Sequence, residues 1–223
     1  MRLKGMTQLN VKIVLLTKSR KYNNYCIAGV DFHTGKWIRL VSSQADIHCA
    51  VPGVDLTYEN GLQAEIFDII EVELAKAVPQ HFQPENYEYD SRYYWKKTGV
   101  SSLEKVKILV NQNADSFIFH NSDKRLLGSF VSGLSASKNY SLKFIFVTRA
   151  TLVVEKYEKL KYKLSFIYNG VSYTDFSITD DAFIKPYQSE GSFVLNNIGL
   201  VISLGEIFNV DQCHYKLVAS VIR

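Results

Sequence analysis

The sequence predicts a mainly β fold with minor α content. Its apolar stretches are strand-sized, as in residues 11–16 and 198–203, and none approaches the roughly 20 residues that a membrane-spanning helix needs. Turn residues separate these stretches, and Asn169-Gly170 is the strongest hairpin signal. Apolar spacing typical of a helix is confined to a few segments. With 223 residues, the chain is long enough for one large or two small domains.

The first three apolar runs predict a β-meander. Residues 11–17, 25–32 and 36–42 read as strands, and a basic loop, "KSRKYNN" (18–24), joins the first two. Gly35 in the "HTG" connection supplies the positive φ that a three-residue hairpin loop with a bulge requires.

The middle of the chain mixes a strand, a loop and helices. Alternation of apolar and polar residues predicts a long strand over 64–78. The polar but ring-rich segment 81–97 is interpreted as a long ordered loop. Residues 101–112 have a serine cap and helical spacing, a second helical piece is expected within 115–130, and 132–139 resembles a linker.

The last third returns to strands. A short helix over 179–186, capped by Thr179 and ended by Pro186, interrupts them. The predicted strands cover residues 141–148, 151–157, 162–168, 171–178, 192–205 and 214–223.

Two β-rich modules joined by helical residues suit two OB-like five-stranded barrels. We therefore predict a first OB-like barrel with a tyrosine-rich loop over 1–98, a helical connector over 99–138, and a second OB-like barrel over 139–223.

Charge is unevenly distributed along the chain. Residues 1–50 carry eight Lys/Arg against two acids, a net charge of +6, whereas residues 51–100 carry four against nine, a net charge of −5. Such polarity is typical of a polyanion binder, although lysine-rich solvated strand faces produce it too. Three cysteines do not make a disulfide framework, and the N-terminus does not resemble a signal peptide. A cytoplasmic protein with no membrane association is expected.

The sequence matches the common catalytic and metal-binding motifs poorly. Gly29 to Gly35-Lys36 has the wrong spacing for a phosphate loop, and Trp37 stands where a magnesium-binding hydroxyl is needed. The cysteines and histidines lack zinc-ligand spacing, and the sequence contains no G-x-S-x-G. Asp68 lies on the opposite strand face from nearby glutamates, which argues against a two-metal site. We expect no catalytic residues, metal site or cofactor.

Nucleic acid is the ligand that best matches the basic and aromatic side chains of the chain. OB barrels bind oligonucleotides on their second and third strands and adjacent loops, where cations follow phosphates and rings stack on bases. The candidate residues lie on the first loop, the third strand and the tyrosine-rich loop: Lys18, Arg20, Lys21, Tyr22, Lys36, Trp37, Arg39, Tyr93, Tyr94 and Trp95. Trp37 is equally interpretable as a core residue, with Arg39 at the rim, and Tyr93–Trp95 as a lid on the barrel end.

The segment "KIVLLTKSRKYNNYCIAGVDFHTGKWIRLVS" (12–42) resembles the start of the dual OB-containing domain family. "YKLSFIYNGVSYTDFSITDDAF" (162–183) and "VISLGEIFNVDQCHYKLVASVIR" (201–223) are similar to its second-barrel hairpin and closing strands. Positions that match the family pattern include Lys18, Lys21, Trp37, Arg39 and Lys216; Lys216 joins the basic surface if its strand face points outward. The resemblance implies two OB barrels that recognise nucleic acid, in a prokaryotic protein associated with conflict and anti-phage systems, without enzymatic activity.

The sequence thus predicts a non-enzymatic nucleic-acid-binding protein, with single strands favoured over duplexes. It fits an accessory component of a prokaryotic defence system, with a possible protein partner in a defence complex. Two alternatives stay open: an adaptor that docks a helicase or nuclease partner through the aromatic loop, and a sensor of a nucleotide or modified base. The residues leave the choice between DNA and RNA open.

Overall fold

The computed structural model describes residues 9–110 and 116–223. The strands within these residues are β1 (Leu9–Lys21), β2 (Asn24–Asp31), β3 (Trp37–Val41), β4 (Asp68–Ala77), β5 (Asn86–Tyr89), β6 (Lys96–Val100), β7 (Arg125–Leu127), β8 (Leu142–Lys156), β9 (Leu160–Tyr168), β10 (Val171–Ser177), β11 (Gly191–Phe208) and β12 (Cys213–Ile222). The helices are α1 (Leu103–Leu109), α2 (Gly128–Ser132) and α3 (Asp181–Ile184). The predicted mainly β fold with two OB-like barrels is confirmed.

The first sheet closes into a five-stranded barrel. Its strand order is β1-β2-β3-β5-β4, and β1 also pairs with β4 through a register that includes Ile13 opposite Ile70. β3 and β5 run parallel while the other pairs are antiparallel. Gly35 has the expected positive φ of 66° in the β2–β3 turn. The interior is filled by residues such as Leu15, Ile27 and Leu40.

Two expectations for the first barrel are corrected. The predicted loop 18–24 is mostly strand, because β1 continues to Lys21 and leaves a turn of two residues, Tyr22 and Asn23. The predicted loop 81–97 contains β5 and the start of β6. β5 is short and polar, but it bridges β3 and β4 and thereby closes the barrel.

The second sheet has the order β10-β9-β8-β11-β12-β7 and curls strongly. An isolated parallel bridge between Ile178 and Val218 brings the end of β10 to β12, so the five strands β8–β12 repeat the connectivity of the first barrel. Asn169 and Gly170 have φ angles of 50° and 74°, which confirms the predicted β9–β10 hairpin turn. β7, from the segment expected to be a helical connector, pairs with β12.

Several element boundaries differ from the prediction. Residues 141–157 form one strand, β8, rather than two. The helix α3 is capped by Asp180, whose side chain accepts from the Phe183 N–H, and not by Thr179. The cap of α1 is Ser102, and the predicted helical residues 111 and 112 lie outside the described residues. Within 116–130, only α2 begins, at Gly128.

The two barrels share a hydrophobic core, which we call the shared core. It joins outward residues of β1 and β2 to α1 and to outward residues of β8, β11 and β12, namely Val14, Leu16, Ala28, Val30, Val106, Val110, Leu142, Phe144, Val201, Ala219 and Ile222. Because these apolar residues are all buried, the barrels are packed face to face rather than linked flexibly. No helix in residues 9–110 or 116–223 has the length and apolar character needed to cross a membrane.

Candidate nucleic-acid interface

The three basic residues at the end of β1 are engaged by acidic residues. The Lys18 ammonium lies 3.3 Å from a Glu65 carboxylate oxygen and donates to the Ala64 carbonyl at 3.0 Å. The Arg20 guanidinium pairs with Asp181 at 3.1 Å, and the Lys21 ammonium pairs with Glu206 at 2.7 Å. Asp181 and Glu206 belong to the second barrel. The predicted basic loop is therefore largely neutralised, and two of its cations hold the barrels together.

Arg39 is buried, which corrects the expectation that it faces a ligand. Only 3% of the residue is exposed. Its guanidinium donates to Glu85 at 3.2 Å, to the Ser141 hydroxyl at 2.7 Å and to the Ser203 hydroxyl at 3.4 Å. Since Ser141 and Ser203 come from the second barrel, Arg39 spans the boundary between the barrels and presents no surface to solvent.

Trp37 and Lys36 lie at the mouth of an open groove beside this boundary. Lys36 is exposed, and Trp37 is half-buried with one side against the shared core. Both line the groove. Trp37 is therefore partly a core residue, and its role in binding stays a prediction.

The aromatic candidates divide between surface and core. Tyr22 is exposed and stacks on His48 with a ring separation of 4.3 Å. Tyr93 and Tyr94 are also exposed. Trp95 is not: it is 2% exposed and packs edge-on against Tyr89 inside the first barrel. Its expected stacking role is corrected, because the strand that follows the tyrosine loop turns this ring inward.

Lys216 is a further correction. It is 1% exposed, and its ammonium donates to the backbone and side-chain oxygens of Asn121 at 2.8 and 2.6 Å. The ring of Tyr173 lies 5.8 Å away, so the side chain points into the second barrel. Lys216 lies on the inner face of β12, the face that also carries the core residue Val218. The lysine therefore does not join a basic surface.

The burial of Arg39 has a clear physical cause. OB barrels usually bind nucleic acid on the outer face of their second and third strands. In the first barrel that face carries Ala28 and Val30 of β2, with Trp37 and Arg39 of β3. The second barrel covers it through the shared core. The first barrel's usual binding face is thus an internal interface.

The corresponding face of the second barrel is open. Along β9, the interior residues Leu164 and Phe166 alternate with outward Lys161, Lys163 and Ile167. The adjoining β10 contributes the exposed serines and threonine at 172, 174 and 177. We call this surface, together with the β8–β9 hairpin residues Tyr157 and Lys159, the lysine face.

The chain segment that carries the lysines of this face has a local excess of positive charge. Residues 149–163 carry five Lys/Arg against two Asp/Glu, a net charge of +3. Exposed Tyr157 lies 4.5 Å from the Lys161 ammonium, measured to the ring centre. Lys163 donates to Glu155 at 2.7 Å. That hydrogen bond raises the pKa of the Lys163 ammonium and lowers the pKa of the Glu155 carboxyl, so both stay charged at neutral pH.

Sequence reasoning missed this face although a signal was present. The octapeptide "KYEKLKYK" (156–163) alternates lysines with tyrosines and a leucine. Over the wider range 151–223 the chain carries seven Lys/Arg against eight acids, so the net charge of that range hides the local excess. A shorter window would have found it.

Comparison with known proteins gives a family and a distant structural likeness. A family model described as dual OB-containing domain matches residues 11–221. No curated protein matches the sequence. Among solved structures, the chain is similar to the Ifi202 HINa domain in a complex with 20-bp dsDNA, with a TM-score of 0.30 and 10% identity, over 96% of this chain and 92% of that chain.

Proposed function

This chain belongs to the dual OB-containing domain family, and we propose that it is a non-enzymatic nucleic-acid-binding protein that uses the lysine face of its second barrel. The observation that carries the proposal is the contrast between the barrels. The strand pair that OB folds use for oligonucleotides is covered in the first barrel and open, with lysines, in the second.

The lysine face has the two kinds of side chain that a binding site for single-stranded nucleic acid requires, cations and an exposed aromatic ring. Cations can follow the phosphates, and the exposed ring of Tyr157 offers a flat surface for a base. Lys159 and Lys161 are exposed, and neither forms an ion pair within residues 9–110 and 116–223. We propose a single strand as the preferred form, because stacking on Tyr157 needs an unpaired base.

The test is fluorescence anisotropy of labelled single-stranded DNA, single-stranded RNA and duplex DNA at several salt concentrations. The Lys159→Glu/Lys161→Glu variant should bind at least about tenfold more weakly, and its slope of log affinity against log salt should fall by about one per lysine. Lys105→Glu/Lys124→Glu makes the same charge change on exposed lysines elsewhere and should bind like the wild type.

Two results would count against the proposal. One is the absence of binding to any of the three probes at low salt. The other is equal weakening in both double variants, which would indicate a diffuse charge effect instead of a site. A further variant, Tyr157→Ala, should lose about 1–3 kcal/mol of affinity for single strands if the ring stacks on a base.

The adaptor function is a second candidate, favoured by a separate exposed apolar cluster. Leu127, Phe130, Phe208 and Val210 are 60%, 45%, 52% and 83% exposed, and β7 holds Leu127 opposite Cys213 next to the β11–β12 turn. Binding of a partner protein to this cluster would be insensitive to salt, in contrast to phosphate binding.

We further propose the cellular setting that the family resemblance implies. In that setting the chain is an accessory component of a cytoplasmic prokaryotic defence system.

A further inference from the structure

A second candidate site is the groove that Lys36 and Trp37 line, which we call the junction groove. It has a volume of about 1190 Å³ and lies between the first barrel and the segment that leads into β8. Ligand pockets often form at such module boundaries and commonly measure about 300–1,000 Å³. The junction groove therefore has room for more than one ring system.

Three aromatic rings are held in place around the groove. Trp37 of β3, Tyr87 of β5 and Tyr140 before β8 line it, and each is half-buried. Trp37 packs against the shared core, and the Tyr140 hydroxyl accepts from the Phe119 N–H at 3.2 Å. Rings fixed in this way lose little conformational freedom when a flat ligand stacks on them.

Most charged side chains of the groove already have hydrogen-bond or ion-pair partners. Asp31 accepts hydrogen bonds from the Thr34 N–H and hydroxyl at 2.7 and 2.8 Å. Glu71 lies 4.0 Å from the Lys12 ammonium, and Glu85 pairs with buried Arg39.

The exception is Lys36. It is exposed, and its ammonium has no ion-pair partner within residues 9–110 and 116–223. The Lys36 ammonium can therefore contact a negatively charged group of a ligand, such as a phosphate oxygen.

We propose that the junction groove binds a dinucleotide unit, with the linking phosphodiester at Lys36 and the bases on the rings of Trp37, Tyr87 and Tyr140. A phosphodiester carries a single negative charge, which a single lysine can neutralise, and each base has a π-face that stacks on an aromatic ring. The unit is either a free dinucleotide or two consecutive nucleotides of a strand. This inference goes beyond the proposed function, since it assigns a second site with a ligand of defined size that does not depend on the lysine face.

Tryptophan fluorescence can report on this site directly. The chain has two tryptophans, and Trp95 is buried in the first barrel, so quenching by an added ligand reports on Trp37. Adenylyl-adenosine (ApA), AMP and adenosine would be titrated into the full chain. ApA should quench saturably and bind at least about tenfold more tightly than adenosine, because it adds one charge-assisted contact and a second stacked base.

Matched variants separate the groove from other effects. Lys36→Gln should weaken ApA binding about tenfold and leave adenosine binding unchanged, since only ApA carries the charge that Lys36 contacts. Lys105→Gln removes an exposed lysine elsewhere and should change neither. In Trp37→Phe, ApA should still bind by calorimetry while the fluorescence signal is lost.

The Lys159→Glu/Lys161→Glu variant distinguishes the two sites and the two sources of the ligand. In this variant, saturable quenching by ApA identifies a free dinucleotide as sufficient, whereas quenching by a single-stranded 12-mer alone identifies a strand segment. Both results support the groove even if the lysine face fails. The inference would be overturned if neither ApA nor the 12-mer quenched the fluorescence. It would also be overturned if Lys36→Gln left the affinity for ApA unchanged.

Discussion

Replacing Arg39 with methionine tests the claim that this residue joins the two barrels instead of binding a ligand. Arg39 is 3% exposed and pairs with Glu85, whose side chain is 8% exposed. Removing one partner of a buried ion pair leaves an uncompensated charge and costs about 3–5 kcal/mol. For a chain of this size, about 2–4 °C of Tm is lost per kcal/mol, so Arg39→Met should lower Tm by about 6–20 °C.

The double variant Arg39→Met/Glu85→Leu separates the charge from the packing. It removes both ions, and such a replacement is often neutral or stabilising, so most of the lost Tm should return. The exposed pair between Lys76 and Glu88, 3.4 Å apart, provides a control: Lys76→Met should cost at most about 1 kcal/mol.

Thermal unfolding followed by circular dichroism, with denaturant titration for the free energies, measures all of these variants. A single variant within about 1 kcal/mol of the wild type, or a double variant as unstable as the single one, would refute the reasoning. Nucleic-acid binding at the lysine face of the folded double variant should match that of the wild type, because neither side chain belongs to that face.

Three further substitutions test local features by thermal unfolding. Gly29→Ala would place a Cβ atom 2.2 Å from the Val14 carbonyl oxygen, so it should destabilise the protein by about 3 kcal/mol or more; a normal Tm would contradict the close β1–β2 approach. Gly170→Ala meets no neighbouring atom but keeps a φ of +74°, so it should cost only about 1 kcal/mol, and a cost as large as that of Gly29→Ala would show that the turn is packed. Burial alone would raise the pKa of Asp31, but hydrogen bonds from the Thr34 side chain and the turn backbone outweigh it and lower that pKa. The ionised carboxyl therefore stabilises the fold above its unfolded-state pKa and loses this effect as pH falls through the folded value, so the Tm difference between wild type and Asp31→Asn should shrink from pH 6 to pH 3; a constant difference would exclude the charge as its cause.

Local patterns in the sequence predicted much of the fold. Gly35 and Asn169-Gly170 marked two hairpin turns, because the ability to adopt a positive φ depends mainly on the residue type. β5 escaped notice since its four residues, "NYEY", have no apolar alternation and form a strand only because β3 and β4 lie on either side. Tertiary pairing overrode local propensity there.

The candidate site was harder to predict for a different reason. Period-two alternation puts Trp37 and Arg39 on one face of β3, but it shows neither that this face is the outer one nor that another module covers it. The same limit applies to Lys216, whose strand face could be assigned to the interior only after the second barrel was known. Sequence periodicity separates two faces of a strand without saying which one meets water.

The shared core also constrains how the chain can fold during synthesis. Val14 and Leu16 of β1 are made early, yet they are covered partly by Ala219 and Ile222 of β12, which are made about two hundred residues later. Until the ribosome has produced β12, the nascent first barrel carries an uncovered apolar face that is open to chaperones and to other chains. Expressing the first barrel alone would make that transient condition permanent.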